Sequence, residues 1–262
     1  MKTSHYYNLG SNISRNFLFP FSLFLILFAL NSTELSANQP LSKYEKPCVT
    51  LDAGHGGHDP GTNNKSYEVL EKDLVLDLTL EVQKILESDG ASVKLTRKTD
   101  TFIALEDRIK IAHTNGCAKF VSIHLNSFNT KIEGFETYYG LKRVLSFAVD
   151  FHNFLAQFLD SPNRGVKFND FKVIRDPPID PEQEDESSVV DHSLILQAMY
   201  APSLISNIDY TPNPTLKAIL VEPYFLDNDT EIDKYWKQDH LGRSIAESIK
   251  QASSSDQSNL FE

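Results

Sequence analysis

The segment Cys48-Val49-Thr50-Leu51-Asp52-Ala53-Gly54-His55-Gly56-Gly57-His58-Asp59-Pro60-Gly61 decides the fold class. Its first half is short, apolar and β-prone, and its second half is a glycine-rich loop that carries His55. Beyond it, Leu74, Val75, Leu78, Val82, Ile85 and Leu86 fall at helical spacing, which predicts a helix from about Glu71 to Asp89, stopped by Gly90. Ser92–Thr96 reads as a second strand. Ala104–Asn115 reads as a second helix with Leu105, Ile109 and Ala112 inward, stopped by Gly116. Phe120–Ile123 is a third strand, and it ends at His124. Strand, helix, strand, helix, strand is the order of a mainly parallel sheet with helices on its faces. The predicted architecture is a single α/β domain over residues 47–252, with a twisted sheet flanked by helices.

Further along, Phe135–Tyr139, Phe171–Ile174 and Ala218–Val221 read as strands. Arg143–Asp160 is an amphipathic helix through Val144, Ala148, Phe151, Leu155 and Phe158, and Leu241–Gln251 is a closing helix through Leu241, Ile245 and Ile249. The pattern breaks between Asp176 and Lys217. Pro177, Pro178 and Pro181 open that stretch, and Glu182, Glu184, Asp185 and Glu186 follow. An irregular acidic insert over 176–217 reads as a lid, a partner surface or disorder. Glu182, Glu184, Glu186 or His192 would reach a metal if it is a lid, and a solvated loop is the bland alternative. Residues 253–262 are a polar, flexible tail.

The formal net charge of −11 argues against a nucleic-acid partner, because such a chain repels the phosphate backbone. At the N-terminus, Lys2 and Arg15 precede the uncharged run Phe17–Leu30. That run is shorter than the ~20 residues of a spanning helix, so residues 1–37 read as a secretory signal with a cleavage point at Ser36-Ala37. An uncleaved anchor is the alternative. A polar linker over 38–46 follows. The chain is expected to be exported to the periplasm or cell envelope, with no stable membrane span after cleavage. Cys48 and Cys117 are its only cysteines. Each precedes a strand-end histidine by the same seven positions, Cys48 before His55 and Cys117 before His124. The expectation is two reduced buried thiols, since bridges between adjacent parallel strands are unusual; a single disulfide is the alternative.

Ligands of open parallel sheets bind beyond the carboxyl ends of strands. His55 and His124 both stand at such ends. Glu71 lies in the first turn of its helix on the same face as Leu74, Val75 and Leu78. A carboxylate aimed at the core is costly unless it is paired or binds metal. Two histidines and a glutamate form a common catalytic zinc set that leaves a position for water. Glu222 ends the strand Ala218–Val221 on the same edge, where a carboxylate could carry a proton from water to a leaving nitrogen. On spacing alone, a solvated strand-end glutamate fits Glu222 equally well. His58, His113, His152 and His240 receive no chemical role, His58 as an exposed loop residue and His113 and His152 as residues on helix flanks.

Leu51–Gly61, Glu71-Lys72-Asp73, Thr96-Arg97 with Asp100, Ser122-Ile123-His124-Leu125-Asn126, Gly134-Phe135-Glu136, Asn163-Arg164-Gly165-Val166 and Leu220-Val221-Glu222, in that order, resemble the zinc N-acetylmuramoyl-L-alanine amidases. The resemblance covers about residues 47–252. It implies one zinc per chain on His55, Glu71 and His124, and Glu222 as the catalytic glutamate. It also implies cleavage of the amide between the lactyl group of muramic acid and L-alanine in peptidoglycan, in wall remodelling or cell division. This sequence departs from the family pattern at Ala53, where proline is usual, and at Tyr224-Phe225, where Gly-Phe is usual. The loop after Glu222 is therefore expected to be reshaped. The autoinhibitory helix that some members carry after the Gly-x-Glu strand has no counterpart, since that strand runs directly into Arg143–Asp160.

No Gly-x-Ser-x-Gly or Ser-x-x-Lys motif supports a serine nucleophile. A zinc peptidase acting within stem peptides and a non-catalytic wall- or divisome-binding protein are the remaining alternatives. The expected partners are peptidoglycan and a candidate protein activator or divisome partner, and the expected state is a monomer. No separate wall-binding module is read in the sequence.

Overall fold

The computed structural model describes residues 48–175, 213, 215–236 and 240–258, all within the unit Glu45–Glu262. The secretory signal, the linker, His192 and the acidic residues of the insert lie outside the described residues.

Six strands form one sheet: β1 (Cys48–Ala53), β4 (Ser92–Leu95), β5 (Lys119–Ile123), β6 (Phe135–Tyr139), β7 (Asn163–Phe168) and β8 (Lys217–Glu222). Their order is β4-β1-β5-β8-β6-β7. The β4-β1-β5-β8 pairings are parallel, so the mainly parallel sheet expected from the sequence is present. Within this sheet only β6 against β8 is antiparallel, with Glu136 opposite Glu222. The reason is the connection: the loop between β5 and β6 holds no helix, and a parallel return needs a crossover of about a dozen residues or more, usually helical. The chain therefore leaves β5 at its carboxyl edge and runs straight back down as β6.

β1 is buried along almost its whole length, as a strand covered on both faces must be. On one face lie α1 (Glu71–Ser88), α3 (Leu145–Leu155) and α5 (His240–Ser258), packed around Leu51, Val75, Val82, Phe147, Phe151 and Ile245. Phe147 and Phe151 are fully buried, and each contributes about 1.5–3 kcal/mol relative to exposure. On the other face, α2 (Leu105–Thr114) sets Ile109 and Ala112 against Phe120, Ala218 and Leu220.

Three details differ from the sequence reading. Phe171–Ile174 is a turn, not a strand; Val173 and Ile174 are buried against α2 and β8 without joining the ladder. Leu105 is 47% exposed, as the first residue of α2 and part of the lining of an open cavity. Phe158 is equally exposed at 47%, since α3 ends at Leu155 and the chain turns there. His113 and His152, read as helix-flank residues with no burial assigned, are both buried. Three elements were not foreseen: the hairpin of β2 (Asn63–Asn64) and β3 (Val69–Leu70), strand β7, and the short helix α4 (Asp229–Tyr235).

The cysteines also depart from expectation: Cys48 and Cys117 are joined in a disulfide, with a Cα–Cα distance of 4.9 Å. The ladder pairs Val49 with Lys119, so Cys117 lies ahead of β5 in the turn that enters it. The objection to a bridge between laddered parallel strands therefore does not apply. No helix among the described residues is long and apolar enough to cross a membrane.

Candidate metal centre

The chain passes from β1 through α1 to β4 on one side of β1, then through α2 to β5 on the other. The strand order reverses there, and such a switch point opens a crevice at the carboxyl ends of the strands. His55 follows β1 and His124 follows β5, so both histidines face that crevice. The β2–β3 hairpin delivers Glu71 as the first residue of α1, 3% exposed and aimed inward.

The three side chains converge. Glu71 Oε1 lies 3.0 Å from His55 Nε2 and 3.2 Å from His124 Nδ1, and the two ring nitrogens are 3.2 Å apart. As hydrogen bonds alone the set is incomplete, because if both ring nitrogens carry protons for Oε1, neither can accept across the 3.2 Å contact between them. As a metal cradle it fits. Donors about 2.0–2.1 Å from a tetrahedral centre stand about 3.3 Å apart, close to the separations here. Three further hydrogen bonds fix His55 and Glu71. His55 Nδ1–H donates to Asp59 Oδ2 at 2.9 Å, which turns Nε2 inward. Glu71 accepts the backbone N–H of Leu125 at 3.0 Å on Oε1 and that of Thr62 at 2.9 Å on Oε2. The two histidines outweigh the effect of burial and hold the Glu71 carboxyl far below its ordinary range.

Two glycines leave room for the side chains of the cradle. A Cβ on Gly54 would come within 2.3 Å of the His124 ring, and one on Gly61 within 2.6 Å of Glu71 Oε2. Gly61 also has a φ of +64°, which penalises side chains. His55 itself sits at φ +60°, an uncommon conformation for a residue with a Cβ. Two buried arginines maintain it by collecting backbone carbonyls. Arg108 donates to Ala53 O at 2.7 Å and His55 O at 2.6 Å, and Arg97 donates to Ala53 O at 2.9 Å and Gly54 O at 2.8 Å. Arg108 also pairs with the buried Asp52 at 2.9 Å. Burial would raise the Asp52 carboxyl, but Arg108 and the hydroxyls of Thr96 and Ser122 hold it below its ordinary value.

Glu222, the last residue of β8, lies on the wall of the same crevice, a cavity of about 570 Å³. Its Oε2 is buried with no hydrogen-bond partner. Burial first, then the charges of Glu71 and Glu136, push its carboxyl well above the ordinary range. Glu136 is its cross-strand neighbour and is itself held low. Burial opposes ionisation there, but Lys167, Tyr138 and Arg164 all donate to it. The cavity lining includes apolar Leu105, Phe171 and Val173 and polar Thr62, Asn126 and Ser127.

All four residues singled out from the sequence thus line one cavity. His58 is exposed and packs at a tilt against Phe102, outside the metal cradle. Sequence reasoning gave no role to Arg108. It shares a helix face with Ile109 and Ala112, so the test that singled out Glu71, a charge on an apolar face, would have found it. The loop after Glu222 is accommodated without strain: Tyr224 avoids the left-handed region, is buried, and stacks on Tyr235 at 5.6 Å.

Comparison with known proteins agrees with this geometry. Residues 49–181 match the family model described as N-acetylmuramoyl-L-alanine amidase. The chain is 36% identical over 154 residues to the uncharacterized protein YqiI of Bacillus subtilis, covering 57% of this chain and 74% of that one. It is 44% identical over 90 residues to the N-acetylmuramoyl-L-alanine amidase AmiA of Escherichia coli, covering 34% of this chain and 31% of AmiA. Among solved structures, an N-acetylmuramoyl-L-alanine amidase from Clostridium difficile 630 superposes with a TM-score of 0.62 at 26% identity, covering 80% of this chain and 96% of that one. A matching family profile, a shared fold and a buried His-Glu-His cradle at a strand-order reversal together place this chain in the N-acetylmuramoyl-L-alanine amidase family.

Proposed function

We propose that this protein hydrolyses the amide between N-acetylmuramic acid and the L-alanine of the stem peptide in peptidoglycan, using one zinc ion held by His55, Glu71 and His124. The observation that carries the reading is the convergence of those three donors within 4.8 Å of one another, in a chain of this family. Zinc, when bound, supplies Lewis acidity toward the scissile carbonyl and toward water.

The chain's own residues supply the rest. Asp59 holds His55 in the tautomer that leaves Nε2 free to bind metal. Glu222 is the proton carrier: its unpartnered Oε2 takes a proton from the attacking water and passes it to the leaving nitrogen. The C–N bond breaks, the lactyl carbonyl gains the hydroxyl as a carboxylic acid, and L-alanine leaves with a free amino group. The raised proton affinity of Glu222 suits a group that must hold a proton between those two transfers.

The setting we infer is the cell envelope, reached by means of the signal at residues 1–37, with a role in wall remodelling or cell separation. A protein activator or divisome partner is part of the same reading. Digestion of purified peptidoglycan, with and without a chelator and with mass analysis of the products, tests it. Stem peptides beginning with L-alanine, lost on chelation, are expected. Products cut within the stem would refute it in favour of a peptidase.

A further inference from the structure

We propose that Glu231, on α4, is a positioning residue that holds Glu222 in place by closing the open end of the β6–β8 ladder. The inference rests on the role given to Glu222 above. β6 and β8 pair antiparallel as far as Glu136 opposite Glu222, and beyond that rung the two strands part. Just past the rung lie the backbone N–H groups of Gly134 and Phe225. Glu231 accepts both, Gly134 N–H at 2.9 Å on Oε1 and Phe225 N–H at 2.8 Å on Oε2. Oε1 also accepts the hydroxyl of Ser161 at 2.7 Å, from the turn that enters β7. One carboxylate therefore gathers the exit of β8 and the entries of β6 and β7.

The clamp is itself anchored. Asn228 caps α4, accepting the N–H groups of Thr230 at 2.9 Å and Glu231 at 3.3 Å, and its amide donates to Ile132 O at 3.1 Å. Glu231 is 1% exposed and lines no part of the metal cavity, so it has no route to substrate. A buried carboxylate is costly unless its oxygens are satisfied, and these are satisfied by the backbone flanking Glu222 and Glu136.

Glu231→Gln keeps the shape but sets an NH2 group where one of the oxygens accepts an N–H. A small displacement of a proton carrier costs about tenfold to a hundredfold in rate. The full-length protein is compared with its Glu231→Gln, Glu222→Gln and doubly substituted forms for kcat, KM and bound zinc on a muramoyl-L-alanine peptide. Glu231→Gln is expected to lower kcat about tenfold or more, with KM and bound zinc within about twofold. In the Glu222→Gln background it is expected to cost less than about twofold, because the group it positions is already gone. A kcat within twofold of wild type, an equal loss in both backgrounds, or loss of bound zinc would overturn the proposal. If Glu231→Gln does not fold, Ser161→Ala removes one donor and is read the same way. About a threefold loss in the wild-type background and none in the Glu222→Gln background supports the clamp, and equal losses overturn it. An inactive wild type sinks the amidase reading and the clamp together, whereas an active wild type with an unaffected variant sinks the clamp alone.

Discussion

Replacing both Cys48 and Cys117 by alanine tests how the base of the sheet is held. The bridge spans a sequence separation of 69 residues and ties the start of β1 to the turn that enters β5. Closing a loop of that length removes an entropy of about 2.1 + 1.5R ln n cal/mol/K from the unfolded chain, which at n near 70 amounts to about 4 kcal/mol at 25 °C. Within the bridged loop lie α1, β4 and α2, and with them His55 and Glu71 of the crevice. For a unit of this size, 1 kcal/mol corresponds to about 2–4 °C in Tm, so the melting point should fall by about 10 °C. The assay is guanidinium unfolding of the oxidised wild type, the reduced wild type and the double variant. The reduced wild type separates the covalent contribution from any cavity left by the buried Cys117 side chain. Ellman titration in denaturant without reductant should find no free thiol. Activity at 25 °C should survive, because the β1–β5 ladder from Val49–Lys119 to Ala53–Ile123 does not depend on the bridge. If oxidised and reduced forms unfold within 1 kcal/mol of each other, against the ~4 expected, the loop argument is wrong for this chain.

Glu222→Gln should lower amide hydrolysis by about 10²–10⁴-fold with zinc content and KM little changed, since it removes proton transfer alone; a loss under tenfold would deny Glu222 that role. Asp59→Asn should weaken zinc binding by about 10–100-fold in a chelator-competition titration, because the 2.9 Å hydrogen bond that orients His55 loses its charge; unchanged affinity would count against that orienting role. Asp52 has a depressed carboxyl pKa, so its contribution to stability is complete above the ordinary value near 3.9 and is lost as pH falls through the lower folded value. Acid unfolding of Asp52→Asn should therefore lack part of the wild-type slope below about pH 4, and parallel curves would refute this. Arg108→Met strands Asp52 as a buried, unpaired charge and should cost about 3–5 kcal/mol in urea unfolding; a cost under 1 kcal/mol would mean the pair is not structural.

The strand-helix-strand order of the first half and the candidate metal residues His55, Glu71 and His124 were legible in the sequence because each rests on a local signal, whereas spacing alone left Glu222 equally open to a solvated role. β1 and β5 announce themselves by apolar runs, and Glu71 by its place on an apolar helix face. The glycine-rich loop declares a close approach of backbone to side chains, which Gly54 and Gly61 confirm against His124 and Glu71. Tertiary structure decided the rest. The reversal of β6 depends on a connection too short for a crossover, and β7 and α4 are too short or too polar to show periodicity. Phe171–Ile174 looked like a strand because burial alone selects β-branched and aromatic residues, whether or not a ladder partner is in reach. The disulfide, the carbonyl-gathering by Arg97 and Arg108, and the Glu231 clamp link residues far apart in the chain. No spacing encodes such contacts, since they exist only once the sheet has brought its strand ends to one edge.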